Sequence, residues 1–224
     1  MKVGHRVYAA PGDLPDCVPV FPLPSALLLP RGEMPLNIFE PRYIDMVDAA
    51  LSDSRLIGMI QPDEGKPASA FGPALCEVGC AGRITAFSET DDGRYLITLT
   101  GVARFMVVEE LAVPTAFRQC RVCADRFAGD FERPVEDGVD RDAVLKTFRA
   151  YLSAHNLEAD WDSVYRATNE MLVNTLAMMA PFGTAEKQAL LEAPDLRSRA
   201  ETLVALTEMA LAKGPGDPGG QALQ

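Results

Sequence analysis

The period of the hydrophobic pattern changes once along this chain, and that change restricts its fold more than any other feature. Up to residue 127 the apolar residues come in short alternating runs broken by Pro and Gly. From Ala143 onward they recur every three or four residues. Strands that come first, with helices after them, specify an α+β fold. A doubly wound parallel sheet would need the two to alternate. No internal repeat with a period of 20–50 residues is evident.

Within the β-rich part, residues 1–16 are punctuated by Pro, Gly and Asp and are expected to form a flexible arm. Residues 18–23 form a short strand, whose prolines place it at an edge or a strand end. Residues 26–29 are a brief apolar run, and Pro30, Arg31 and Gly32 make a turn. The stretch GEMPLNIFEPRY, residues 32–43, is the most unusual. Its prolines keep residues 34–39 extended, with Leu36, Ile38 and Phe39 among them. It is either a buried strand or an apolar surface meant for contact. Pro41 suits the first position of a helix, with Ile44, Val47 and Leu51 on its apolar face. Residues 56–60 are a strand and residues 61–72 a loop. Residues 77–87 and 95–108 are the clearest strands, joined by a hairpin turn at Asp91, Asp92 and Gly93. Gly101 marks a bulge or bend, and residues 117–127 read as one more strand.

Residues 17–128 are thus one domain, 129–142 an acidic connector and 143–212 an all-helical domain. Val144, Leu145, Phe148 and Leu152 mark its first helix. The spacing predicts a second over residues 164–179, with Met171, Leu172, Thr175, Met178 and Met179 on an apolar side read as core. Pro181, Phe182 and Gly183 break it. Thr184 caps a short helix through residue 191, and Asp195 caps a last one in which Leu203, Leu206 and Ala210 recur. Residues 213–224 read as a disordered tail.

The chain has 224 residues and a formal net charge of -11. Residues 1–135 carry 13 basic and 18 acidic side chains, and residues 136–224 carry 8 and 14. Neither half is a basic module, which argues against duplex nucleic acid as a partner. No run of 18 apolar residues predicts a membrane span. The amino terminus lacks the apolar core of a signal peptide. Five cysteines without a dense framework fit a reducing, cytoplasmic setting.

Catalytic motifs are missing. No P-loop and no dinucleotide-binding GxGxxG occurs. The histidines are His5 and His155, too few for HExxH or a histidine-based triad. None of Lys2, Lys66, Lys146, Lys187 and Lys213 sits in a context expected to depress its pKa and activate a serine. Cys120 and Cys123 form a CxxC, and Cys76 and Cys80 lie four apart. Both pairs fall within predicted strands, and residues three apart on a strand face opposite sides, so Cys120 and Cys123 do not readily share a metal; free cysteine is also commonly buried, and all four are read as core rather than as metal ligands. No catalytic residue, metal site or cofactor is assigned.

VPVFPLP from Val18, Leu29-Pro30, and MPLNIFEPRY from Met34 together resemble the amino-terminal, substrate-binding domain of the ATP-dependent Lon protease. The resemblance continues in IGMIQP from Ile57, VGCAGRI from Val78 and DGRYLITLTGVARF from Asp92. In its helical part, QALLE from Gln188 and Arg199-Ala200 are similar to a stand-alone bacterial version. The resemblance implies a small, twisted PUA-like pseudo-β-barrel with one early helix, followed by a helical bundle. It also implies a non-catalytic module that binds unfolded or specific client polypeptides, in connection with an ATP-dependent protease or chaperone. The ATPase and Ser–Lys peptidase parts of full Lon proteases are not expected in this chain. Leu36, Ile38, Phe39 and Tyr43 are the candidate contact residues. RNA binding by a PUA-like fold is the alternative, opposed by the acidic balance; an unrecognised hydrolase is a further one.

Overall fold

The computed structural model describes residues 1–68, 72–133, 135–154 and 157–213. The chain divides into two compact units, Met1–Arg133 and Pro134–Gln224.

The first unit contains strands β1 (Lys2–Val3), β2 (Arg6–Val7), β3 (Cys17–Pro22), β4 (Glu33–Ile38), β5 (Leu56–Ile60), β6 (Val78–Glu89), β7 (Tyr95–Glu110) and β8 (Arg118–Cys123), with helix α1 (Pro41–Ser52) between β4 and β5. The large sheet has the order β4-β7-β6-β5-β3-β8, and β8 also pairs with β7. Five strands therefore close on themselves, and β4 hangs from the open half of β7. All these pairs are antiparallel except β3 with β5.

β7 is long enough to serve three neighbours because it bends. Gly82 faces Gly101 and Ala81 faces Ala103, so Val102 is an extra residue in the ladder. A bulge of this kind sharpens strand twist. A Cβ on Gly101 would lie 2.1 Å from the Leu29 carbonyl oxygen. Gly101 also donates its N–H to Gly32 and accepts from Arg31. Glycine is required there by close backbone approach, as the bend anticipated.

β3 is interior in the strand order, whereas its prolines suggest an edge or strand end. The resolution lies in its register. Residues 17–20 pair with β8, and 20–22 pair with β5, so only Val20 has aligned partners on both sides. Neither Pro19 nor Pro22 sits in a doubly paired stretch, where a missing N–H would cost most.

The expected loose arm is packed against the barrel. Val3, Tyr8 and Leu14 are buried in one cluster with Val18, Phe105 and Phe131. The amino group of Met1 donates to the carbonyls of Tyr8 and Phe131 at 2.6 and 3.1 Å. The buried Arg83 donates to the Tyr8 hydroxyl and the Ser54 carbonyl. The last strand ends at Cys123, short of the expected residue 127. A 3-10 segment, Asp125–Phe131, follows and buries Phe127, Asp130 and Phe131. These residues, expected partly as connector, belong to the barrel unit.

The second unit contains α2 (Arg141–Ala154), α3 (Trp161–Arg166), α4 (Asn169–Met179), α5 (Thr184–Glu192) and α6 (Leu196–Lys213). The single helix expected over residues 164–179 is two. Thr168 breaks it, because its side chain accepts the Met171 N–H and caps α4. Gly183, not Thr184, is the N-cap of α5. Asp195 accepts the Ser198 N–H at 2.7 Å at the start of α6, as expected of a cap. The expected tail falls, from residue 214, outside the described residues. Among the described residues no helix is long and apolar enough to cross a membrane. The α+β class and the order of strands then helices follow the sequence pattern.

Candidate functional site

The barrel unit separates the four candidate contact residues. Ile38 is 2% exposed, and Tyr43 is buried against Phe21 with ring centroids 4.2 Å apart. Burial pushes the Tyr43 hydroxyl pKa up, and the Arg42 guanidinium lies 4.5 Å from its ring centroid. Tyr43 thus ties α1 to β3, and neither buried side chain has surface to offer a ligand. α1 buries Tyr43, Met46, Val47 and Ala50, with Ile44 and Leu51 only half-buried. Phe39, the residue between β4 and α1, is 63% exposed. Leu36 is half-buried and lines a shallow cleft of about 480 Å³ with Asn37, Phe87 and Leu96. Phe87 and Leu96 are themselves a little under half exposed. Of the four candidates, Leu36 and Phe39 thus remain accessible.

The larger concavity lies in the helical unit. A groove of about 760 Å³ is bounded by α2, α3, α4 and α6. Leu172 and Leu203 are buried at its base, and Met171 and Met179 stand at its margin, 63% and 77% exposed. The expectation that Met171, Met178 and Met179 are core fails for the first and last of them. Residues 171, 175 and 179 stack along one side of a helix, and that side faces the groove.

The rotation of α4 has a polar cause. Its buried face is Leu172, Val173, Asn174 and Ala177. The buried Arg199 on α6 donates to Asn174 Oδ1 at 3.1 Å and to the Leu190 carbonyl at 3.0 Å. Asn174 must point inward to meet it, because an unsatisfied buried amide is costly. The methionines are thereby turned outward. Asn174 within an apolar helix, with Arg199 in another, was the available signal, and hydrophobic spacing alone did not expose it.

α3 forms one side of the groove through Ser163 and Val164 and buries no residue fully. Two arginines of α2 hold it. Arg149 lies 4.7 Å from the Trp161 ring centroid and donates to the Tyr165 hydroxyl. Arg141 donates to Asn169 Oδ1 and to the Val164 and Tyr165 carbonyls.

Lys187 corrects another expectation. It is 4% exposed on α5, and burial lowers its pKa from 10.5 to about 8. Its Nζ donates to the carbonyls of Ala177 and Met178 at 3.1 and 2.6 Å. It satisfies the last carbonyls of α4, where a cation is favoured by the helix dipole. This contact fixes the end of the helix that carries Met179. Cys120 and Cys80 are buried and Cys123 is half-buried, and none of the five cysteines is in a disulfide. Burial raises Cys120 to about 11, which leaves it a thiol at neutral pH. Among the described residues no group of three or more His, Cys, Asp or Glu could hold a metal ion.

Residues 17–208 match the family described as the ATP-dependent protease La (LON) substrate-binding domain. The Lon protease of Anaeromyxobacter dehalogenans is 23% identical over 212 residues, covering 91% of this chain and 24% of that protein. The Lon protease of Desulfosudis oleivorans is 32% identical over 92 residues, 41% of this chain and 11% of that protein. The chain therefore spans a quarter or less of these relatives. Two solved structures share the fold. The Lon N-terminal domain protein from Xanthomonas campestris has a TM-score of 0.59 at 22% identity, covering 84% of this chain and 97% of that one. The N-terminal domain of Mycobacterium avium complex Lon protease has a TM-score of 0.60 at 20% identity, covering 86% and 98%.

Proposed function

The chain belongs to the Lon substrate-binding domain family, and we propose that it is a non-catalytic module that holds polypeptide segments in the apolar groove of its helical unit. The observation that carries this reading is the groove of about 760 Å³ with Met171 and Met179 exposed at its margin. Large apolar side chains clustered on a surface mark binding sites. Methionine, unbranched and polarisable, adapts to partners of varied shape. Client segments made accessible by unfolding are the ligands such a groove suits. Phe39 and Leu36 on the barrel unit supply a second, smaller contact surface. The module acts in the cytoplasm beside an ATP-dependent protease or chaperone, to which it delivers the segments it holds. The absence of P-loop and Ser–Lys motifs from the sequence supports a non-catalytic role, and so does the engagement of Lys187 with two backbone carbonyls.

Trp161 is the single tryptophan of the chain, and its ring lies 5.9 Å from that of Phe148, a groove residue. Its fluorescence therefore reports on groove occupancy. Titration with a permanently unfolded, tryptophan-free polypeptide should give a saturable change. The change should weaken in the Met171→Ser/Met179→Ser double variant. An unfolded polypeptide that shows no association, by fluorescence or by calorimetry, contradicts the proposal.

A further inference from the structure

Resting on that reading, we infer that α3 is a movable wall of the groove, clasped to α2 by Arg141 and Arg149, and that its release admits the bound segment. α3 is six residues long and buries none of them fully. A helix of that length is not stable alone in water. Its apolar hold is slight, since Trp161, Val164 and Ala167 are only half-buried. Among the described residues, the hydrogen bonds that tie α3 to other elements all come from the two arginines. Arg141 donates to the Val164 and Tyr165 carbonyls at 3.0 and 3.2 Å. Arg149 donates to the Tyr165 hydroxyl, and its guanidinium lies 4.7 and 5.8 Å from the Trp161 and Tyr165 ring centroids. The arginines stand on one side of α2, about two turns apart. Neither lines the groove, whereas Ser163, Val164 and Arg166 of α3 do. The clasp therefore acts on the groove only through α3.

α3 can leave without disturbing α4. Asp160 accepts the N–H groups of Asp162 and Ser163 at the start of α3, and Thr168 accepts that of Met171 at the start of α4, so each helix has its own cap. Between them Ala167 is extended, with φ -65° and ψ 143°. Rotation about that residue carries α3 away from α2 and leaves α4 in place. Elements with few buried apolar contacts open at far lower cost than the whole fold. With α3 displaced, the base of the groove at Leu172 and Leu203 is open to segments too bulky to enter past it. When the clasp re-forms, the segment is enclosed. α3 thus sets the rates of entry and exit.

The test uses the full chain, with dye-labelled, reduced and carboxymethylated ribonuclease A as an unfolded probe. In the free wild type, α3 amides should exchange with deuterium about tenfold faster than those in the middle of α4. In Arg141→Met/Arg149→Met they should exchange faster still, with α4 and α6 unchanged, and acrylamide should quench Trp161 more strongly. Stopped-flow anisotropy should show the probe associating and dissociating about fivefold faster than with the wild type, because a wall that opens freely speeds both directions. If the double variant also loosens α4 or α6, Arg149→Lys carries the same test, since lysine keeps the charge but loses the planar stack. Wild-type α3 amides that exchange together with α4 overturn the inference, because the two then open as one unit. Faster α3 exchange with unaltered probe kinetics also overturns it and leaves the groove reading intact. A probe that binds neither chain overturns the proposed function itself, and this inference with it.

Discussion

Ile38 and Phe39 are consecutive, yet one is buried and the other exposed, at 2% and 63%. Strand alternation sends Ile38 inward, in register with Tyr95 at the end of the β4–β7 ladder. The chain then leaves the strand for α1, and Phe39 is left outside. Replacing Ile38 by Ala should cost about 2–5 kcal/mol. Phe39→Ala should change stability by no more than about 0.5 kcal/mol, as surface substitutions do. Urea unfolding of the two variants measures both.

The Arg104–Asp130 pair ties β7 to the 3-10 segment. Asp130 Oδ2 accepts from the Arg104 backbone N–H and from Nε, both at 2.9 Å, and Oδ1 accepts from Nη2 at 2.8 Å. Both side chains are nearly excluded from solvent. Asp130→Ala should destabilise the chain by about 3–5 kcal/mol, since it leaves a buried guanidinium without its carboxylate. A loss under about 1 kcal/mol in chemical denaturation contradicts this account.

Gly101→Ala should be among the most damaging small substitutions in the barrel. Its added methyl would meet the Leu29 carbonyl, which cannot move without displacing the buried run of Leu27, Leu28 and Leu29. The expected loss is about 4 kcal/mol or more, in the range reserved for severe packing or backbone conflicts. Wild-type-like thermal unfolding of the variant would contradict the close approach.

Lys187 gives the fold a defined pH dependence. Its folded pKa of about 8 lies below its ordinary 10.5, so between these values the unfolded chain binds more protons than the folded one. Stability from this group therefore rises as pH increases from about 8 toward 10.5. Below pH 8 the cost of keeping the ammonium buried is fully present. Urea midpoints of the wild type should gain on those of Lys187→Met across this interval. Parallel curves contradict the assignment.

Much of the fold was legible because its signals are local. Pro41 at the start of α1, Gly93 in the hairpin turn, Gly101 in the bent strand and Asp195 before α6 each act through neighbouring backbone. What escaped depends on contacts between distant segments. Tyr8 is ordered by Arg83, 75 residues away, so residues 1–16 read alone resemble a loose arm. The groove was hidden for the same reason. The spacing of Met171 and Met179 marks an apolar side, but the Asn174–Arg199 contact decides which way that side faces. Leu36, Ile38, Phe39 and Tyr43 are close in sequence, yet a strand and a helix divide them between core and surface.

The most direct test of the central claim is hydrogen–deuterium exchange on the full chain, with and without a saturating unfolded polypeptide. The account predicts slower exchange in the groove-lining parts of α2, α3 and α4, around Phe148, Val164 and Met179, and loss of that protection in Met171→Ser/Met179→Ser. Protection confined to the barrel unit, or unchanged in the double variant, would contradict it.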